Sequence, residues 1–490
     1  MTIKDVVRED RMPYVEGVNR NQTILLPNAV EDYVGPDDPV RAIEAFAATV
    51  PYAALGFRHA EEPQDGRPPY RPSDLLGLLL WGYLNRVETS RKLELATRQT
   101  LPVMWLLRNL RPDFKTISEF RRHNAKAVFN LVRHFAVWLR EESLVDGSLV
   151  AIDGSKFRAV NSRDRNHTRE SVARRISQIE NRVREYLEVL ERQDQADEAR
   201  EPAGGLKPGE LREKIERLRE RKDLFERMAE QIDEKGEQIS ETDPDSRRMK
   251  SNEGLQVCYN AQIAVDGKHK LIIVSEVTNA VNDQEQLSGM AIEAKEVLGL
   301  PSLSVVADRG YSNSHQIAAC DAAGITTYIP APKSSSRNTK KGLYTKDDFL
   351  YERETDTYRC PAGQILSRST SAKQNGRTID YYRTRACPKC PLRKVCTEGK
   401  HRRIGRRRDE DVLTAAHARA RAHPELMRRR SATVEHPFGI IKRCINGGRF
   451  VTRGLTMVNA EFSLAVMAFN IKRLLKILGT EGLKARLAPA

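Results

Sequence analysis

Cysteine is scarce in this chain, seven residues among 490. That excludes the disulfide framework of a small secreted domain. Long hydrophobic runs are missing too. The longest, Leu75 to Leu84, falls well short of the roughly 20 residues a membrane helix needs. The opening stretch Met1-Thr2-Ile3-Lys4-Asp5 lacks the basic-then-apolar pattern of a secretory signal. A cytosolic protein with no membrane partner is expected. Acidic charge is also in deficit: 67 Asp and Glu face 82 Lys and Arg, a formal net charge of +15. A basic protein of this size usually meets a polyanion, most often nucleic acid, through a salt-dependent attraction. A merely basic enzyme is the alternative. The hydrophobic fraction of 39% and mean hydropathy of −0.57 read as polar but globular, and the length implies more than one domain.

Two stretches share one grammar. Leu149 to Ile152 is a short apolar run that suits a buried strand, and it ends in Asp153-Gly154. Leu303 to Ala307 is a second such run, ending in Asp308-Arg309-Gly310-Tyr311. Either motif alone reads most simply as a turn. Together they place two carboxylates at strand ends that can be neighbours in one sheet, and hard divalent cations favour such oxygen ligands.

Around these stretches the chain changes character several times. Val40 to Val50 reads as a short helix and Pro63 to Pro72 as a linker. Ser73 reads as the N-cap of a helix over Asp74 to Asn85. Helices follow near Ser90 to Gln99 and Val103 to Leu110, and Thr116 with Glu119 forms a capping-box pattern that opens a long one. After Asp153, apolar residues spaced by three and four (Val172, Ile176, Ile179, Val183; then Leu211, Ile215, Leu218, Phe225) predict a helical hairpin of coiled-coil character. Strands are expected at Leu255 to Val265 and Leu271 to Thr278, joined at Asp266-Gly267. A helix over Asp283 to Leu298, the Asp308 strand, a helix near Ser314 to Ala323 and a strand at Ile325 to Pro330 complete a mixed α/β sheet with an antiparallel meander at one side.

The next stretch holds Cys360, the pair Cys387 and Cys390, and Cys396. Four thiolates can close a tetrahedral zinc site, and a CxxC supplies its usual local pair; reduced free or redox-active cysteines are the other reading. His401 to Arg408, with five arginines, is a candidate phosphate contact. The remainder looks helical. Pro437 marks a helix start or a kink. Glu435 and Lys442 share a face if their helix is continuous, and Phe462 to Leu478 reads as a final amphipathic helix.

With these motifs assembled, the chain resembles the DDE transposases of bacterial insertion sequences. Asp153 within Ala151-Ile152-Asp153-Gly154-Ser155, Asp308 within Ala307-Asp308-Arg309-Gly310-Tyr311, and Glu435 within Val434-Glu435-His436-Pro437-Phe438-Gly439 match that family's three carboxylates, with Lys442 at the lysine that follows. Asp113 to Arg121 resembles its helical domain. One departure stands out. Many relatives carry a tyrosine and an arginine upstream of the glutamate, whereas this chain reads Met427-Arg428-Arg429-Arg430.

The resemblance implies an α/β, RNase H-like catalytic domain with an all-helical N-terminal domain, an inserted helical hairpin and a Cys-rich insertion. Its parts would be residues 1–145 (helical, for DNA binding or assembly), 146–332 (first part of the core, with the hairpin at 168–240), 333–410 (Cys-rich) and 411–490 (helical, carrying Glu435). It implies Mg²⁺ or Mn²⁺ held by Asp153, Asp308 and Glu435, with Lys442, Arg309 and Arg430 at DNA phosphates. The expected partners are double-stranded DNA, as terminal inverted repeats and target, and a homodimer or higher oligomer in the synapse, in a bacterial cytoplasm at the nucleoid. A non-catalytic DNA-binding descendant, or a metal-dependent nuclease without strand transfer, are the rival readings.

Overall fold

A computed structural model of the protein describes residues 29–61, 68–161, 165–198, 208–235, 238–251, 254–332, 341–374, 377–407 and 409–488. The first part is helical: Pro39–Thr49, Pro72–Leu84, Ser90–Gln99, Leu101–Leu106, Phe114–His123 and Ala125–Glu141. Two starts differ from expectation. Pro72, not Asp74, takes the first helical position, where its fixed φ suits the turn and its missing N–H costs nothing. The capping box at Thr116 gives way to Asp113, whose carboxylate accepts from the Thr116 N–H at 2.7 Å. Asp113→Ala should therefore cost about 1 kcal/mol of stability, read from the denaturant midpoint; an unchanged midpoint would reject the cap. The expected long helix is also split. Asn124 sits between its halves with φ −108°, and its side chain accepts from Arg58 N–H at 2.7 Å and donates to the Phe120 carbonyl at 2.9 Å.

The sheet that follows has six strands. They are β1 (Val150–Arg158), β4 (Arg247–Ser251), β5 (Gly254–Asp266), β6 (Ile272–Thr278), β7 (Leu303–Ala307) and β8 (Ile325–Tyr328). Strand β1 is antiparallel to β5 and parallel to β7, β7 is parallel to β8, and β4 and β6 both pair with β5. The order is β6-β5-β1-β7-β8, a meander continued by two parallel strands. Helices Leu287–Leu298 and Ser314–Ala322 cross from β6 to β7 and from β7 to β8. Helix Leu287–Leu298 starts later than expected, which leaves Asp283 in the loop before it. The hairpin at Asp266-Gly267 is wider than a two-residue turn. It runs to Lys270, which takes φ 58°, and the Asp266 carboxylate instead accepts from the N–H groups of Gly147 and Lys268, both at 2.9 Å.

Between β1 and β4 lie helices Arg169–Glu198 and Pro208–Lys235. They pack Val172, Ile179, Phe225, Met228 and Ile232 into a core of their own. Their base is closed by two short strands, β2 (Asn166–Thr168) and β3 (Gln238–Ser240), paired antiparallel.

The cysteine-bearing stretch folds as a second sheet that its sequence did not announce. Strands β9 (Leu350–Glu352), β10 (Thr357–Arg359), β11 (Ile365–Gln374), β12 (Arg377–Arg383) and β13 (Arg403–Arg407) form an antiparallel meander. Phe349, Tyr358, Leu366, Tyr382 and Ile404 are its core. The arginine run expected at phosphate is largely engaged in this fold. Arg402 lies over Phe349, Arg403 over Tyr381, and Arg406 over Tyr351 while paired with Asp411; Arg408 lies outside the described residues.

The last segment is helical: Glu410–Ala422, Pro424–Ile440 and Leu455–Leu487. Pro437 lies inside its helix rather than at a start. Just beyond it the backbone loosens into a π-turn at Ile441–Ile445, the wider geometry expected once a proline removes a helical donor. Helix Leu455–Leu487 is not amphipathic over its centre, where every residue from Ala460 to Ile471 is buried. It packs on helices Pro39–Thr49, Pro72–Leu84 and Ala125–Glu141 and along β6. Its asparagines seal that strand's outer edge. Asn459 bonds the N–H and carbonyl of Val277 at 2.7 and 2.9 Å, and Asn470 those of Ile272 at 2.9 and 2.8 Å. An edge strand's open backbone groups are thus satisfied by side chains instead of another strand. One apolar core runs from Val34 to Leu487. Among the described residues no helix is long and apolar enough to cross a membrane.

Candidate active site

The parallel register of β1 and β7 pairs Ile152 with Ala307, so Asp153 and Asp308 are abreast, on strands that run about 4.8 Å apart. Asp153 stays on the strand and accepts from the Gly154 N–H at 3.0 Å. Asp308 ends its strand and accepts from the Gly310 N–H at 2.7 Å, which caps the tight turn Arg309–Tyr311. The motif "apolar run, then Asp, then turn" holds only for Asp308: after Asp153 the strand runs on to Arg158, so that carboxylate lies within β1 and not at its end.

Helix Pro424–Ile440 lies over this face of β1. Val434 and Phe438 are buried on it, with Phe438 against Phe157 at 6.2 Å between ring centres. From the same helix Arg430 reaches Asp153, Nη1 to Oδ2 at 3.3 Å. Burial pushes the Asp153 carboxyl up to about 6; Arg430 opposes this, while the charges of Asp308 and Asp283 add to it.

The other expected site residues fall differently. Glu435 is exposed on that helix, and no hydrogen bond or ion pair ties it to either aspartate. The π-turn breaks the continuous face it was to share with Lys442. Lys442 instead donates to the Lys156 carbonyl at 2.9 Å and lies 4.8 Å over the Phe157 ring, held by β1 rather than displayed to solvent. Arg430, expected at a phosphate, faces a carboxylate. Arg309 is exposed beside Asp308.

Among the described residues no three carboxylate, imidazole or thiol groups are gathered closely enough to hold a metal ion ready-made. The full set Asp153, Asp308 and Glu435 is therefore not assembled. The donor pair Asp153 and Asp308 nonetheless suits Mg²⁺, which takes one or two carboxylates and completes its shell with water and substrate phosphate. Cys360, Cys387, Cys390 and Cys396 do line one small cavity, and all seven cysteines are free thiols. Cys360 Sγ accepts from the Gln364 N–H at 3.3 Å. Burial pushes the Cys396 thiol up, Arg402 opposes this and the neighbouring thiols add to it. The zinc reading is left without support.

One residue at the site escaped the sequence reading. Asp283 accepts from Asn260 Nδ2 at 2.7 Å, Gln262 Nε2 at 2.8 Å and Lys156 Nζ at 3.4 Å. The available signal was Asn260 and Gln262, two amides on one face of a strand otherwise apolar; buried polar groups require partners.

Residues 359–475 match the family model described as a transposase DDE domain, and residues 28–123 one described as a transposase domain (DUF772). The first match takes in Arg430 and Glu435 but neither aspartate. No curated protein matches the chain. Among solved structures it is similar to a chain of the piggyBac transposase synaptic complex with hairpin DNA, at 9% identity over 92% of this chain and 78% of that one, with a TM-score of 0.30, too low to bear on the fold. Two transposase family models thus match the two ends of one continuous core, which is consistent with an insertion-sequence DDE transposase.

Proposed function

We propose that this transposase cuts the DNA ends of its element and joins the freed 3′-OH to target DNA by metal-assisted phosphoryl transfer. The carrying observation is Asp153 abreast of Asp308 on neighbouring parallel strands, in a sheet whose order and directions agree with an RNase H-like core. When bound, Mg²⁺ or Mn²⁺ supplies charge stabilisation at the attacking and leaving oxygens and an activated water. Asp153 and Asp308 would hold it. Arg430, paired with Asp153, offsets that carboxylate's charge at the site and would also suit a substrate phosphate. Glu435 is the third carboxylate by resemblance, on the helix that carries Arg430. Arg309, exposed next to Asp308, suits a DNA phosphate. Residues 1–145 serve DNA binding or assembly in this reading, with terminal repeats and target as duplex partners and a dimer or larger synapse as the working form.

The test is a cleavage and strand-transfer assay on the flanking element ends, with Mg²⁺ and with EDTA, for the wild type and Asp308→Asn. Cutting and joining should need the metal and fall by about a thousand-fold or more in the variant, a loss of several kcal/mol at the transition state. Cutting that persists in EDTA or in the variant would sink the assignment. Cutting without joining would make the protein a nuclease.

A further inference from the structure

We infer that Asp283 is a positioning carboxylate of this site, one that keeps Asp308 against β1 and strengthens the hold of the Asp153 and Asp308 pair on a divalent cation. The inference rests on the reading that this pair binds the metal. Side chains alternate across a strand, so Gly154 and Lys156 face away from Asp153. Asp283 lies against them on that opposite face. A Cβ at Gly154 would stand 2.6 Å from Asp283 Oδ1 and 2.2 Å from Gln262 Nε2, closer than any side chain permits. The glycine after the first aspartate is therefore room made for Asp283. The glycine of the second motif has the same neighbour. A Cβ at Gly310 would meet Asp308 Oδ1 at 2.9 Å and Asp283 Oδ2 at 3.7 Å, so these two carboxylates flank one point.

The remaining contacts make a latch. The buried Tyr311 hydroxyl donates to Gln262 Oε1, which turns the amide so that its Nε2 donates to Asp283. The turn after Asp308 is thus tied through Tyr311, Gln262 and Asp283 to Lys156 on β1. Oδ1 of Asp283 takes three donors, from Asn260, Gln262 and Lys156, which fixes the carboxylate in place with its Oδ2 toward the Asp308 turn. Asn260, 0% exposed, bonds Asp283 through Nδ2 and leaves Oδ1 without a hydrogen-bond partner among the described residues, a further acceptor beside the carboxylates. Asp283 adds a third negative charge in a region of poor solvation, where charges act more strongly than in water.

Direct Mn²⁺ binding, followed by the loss of the free-ion electron paramagnetic resonance signal, tests this on the whole chain without DNA. Asp283→Asn keeps the shape and an acceptor but removes the charge. It should weaken Mn²⁺ binding about ten-fold while melting stays cooperative. Tyr311→Phe, which cuts the latch and leaves every charge, should weaken it two- to five-fold and serves if the first variant does not fold. Binding within two-fold of wild type in both, with Asp153→Asn having lost it, would overturn the inference and leave the pair standing. Binding unchanged in Asp153→Asn and Asp308→Asn as well would overturn the metal reading itself.

Discussion

Asp153→Asn should abolish metal-dependent cutting and joining, and the same substitution should make the metal-free protein more stable at neutral pH. The first effect follows from losing half of the carboxylate pair, and is expected to reach a thousand-fold or more. The second follows from the Asp153 carboxyl, which burial pushes up to about 6, whereas an unfolded aspartate titrates near 3.9. Between about pH 4 and 6 the folded state holds a proton that the unfolded state has released. Stability therefore falls as pH rises through that window and stays low above it, the reverse of the usual carboxylate. A gap of roughly two pH units is worth at most about 3 kcal/mol. The side chain is 21% exposed and Arg430 loses an ionic partner in the variant, so about 1–2 kcal/mol is expected. Denaturant midpoints in EDTA should separate the proteins at pH 7.5 and bring them together near pH 4. Mg²⁺ should raise the melting temperature of the wild type and not of the variant. A variant less stable than wild type at pH 7.5 would show that Asp153 is not held at a cost.

Phe157→Ala should be the most damaging single truncation near the site. Phe157 is fully buried four residues beyond Asp153, on the same face of β1. Its ring meets Phe450 at 5.5 Å, Phe462 at 5.4 Å and Phe438 at 6.2 Å, with the Lys442 ammonium over it. These partners come from the sheet-covering helix, the loop after it and the central helix, so they cannot all close on the hole. A loss of about 3–5 kcal/mol is expected, read from urea unfolding. Because Phe438 shares a helix with Arg430, Asp153 should lose its partner as well. A loss below 1 kcal/mol would mean the cluster is dispensable.

Asp308 is legible because a strand end leaves a local trace, apolar β-formers and then a turn former; Asp153 lies on the strand the sequence indicates, but within it, because Gly154 continues β1 to Arg158 instead of turning it. The meander, the hairpin and the two crossover helices were legible because each is written in periodicity. Asp283 was not. It sits in the polar loop Asn279 to Glu285, and only Asn260 and Gln262, distant in sequence, give it meaning. The second sheet is not legible because its strands are polar and each gives the small core only one residue or none, so no apolar alternation marks them. The face that Glu435 and Lys442 would share depends on a continuous helix, which the π-turn beyond Pro437 breaks. Arg430 was read as a DNA contact because an arginine's partner is set by tertiary placement, which spacing does not encode.

Helix Leu455–Leu487 has a consequence for how the chain reaches this structure. It lies between the N-terminal helices and the sheet, yet it is made after every element it covers. Until it emerges, the outer edge of β6 has open backbone groups and the apolar faces that turn toward it are uncovered, although the helices over Pro39 to Glu141 already pack on one another. The main core is therefore completed only when the last helix has been made. A chain that stops short of residue 455 keeps the helical hairpin and the second sheet, which have cores of their own, but leaves open the core behind Asp153 and Asp308.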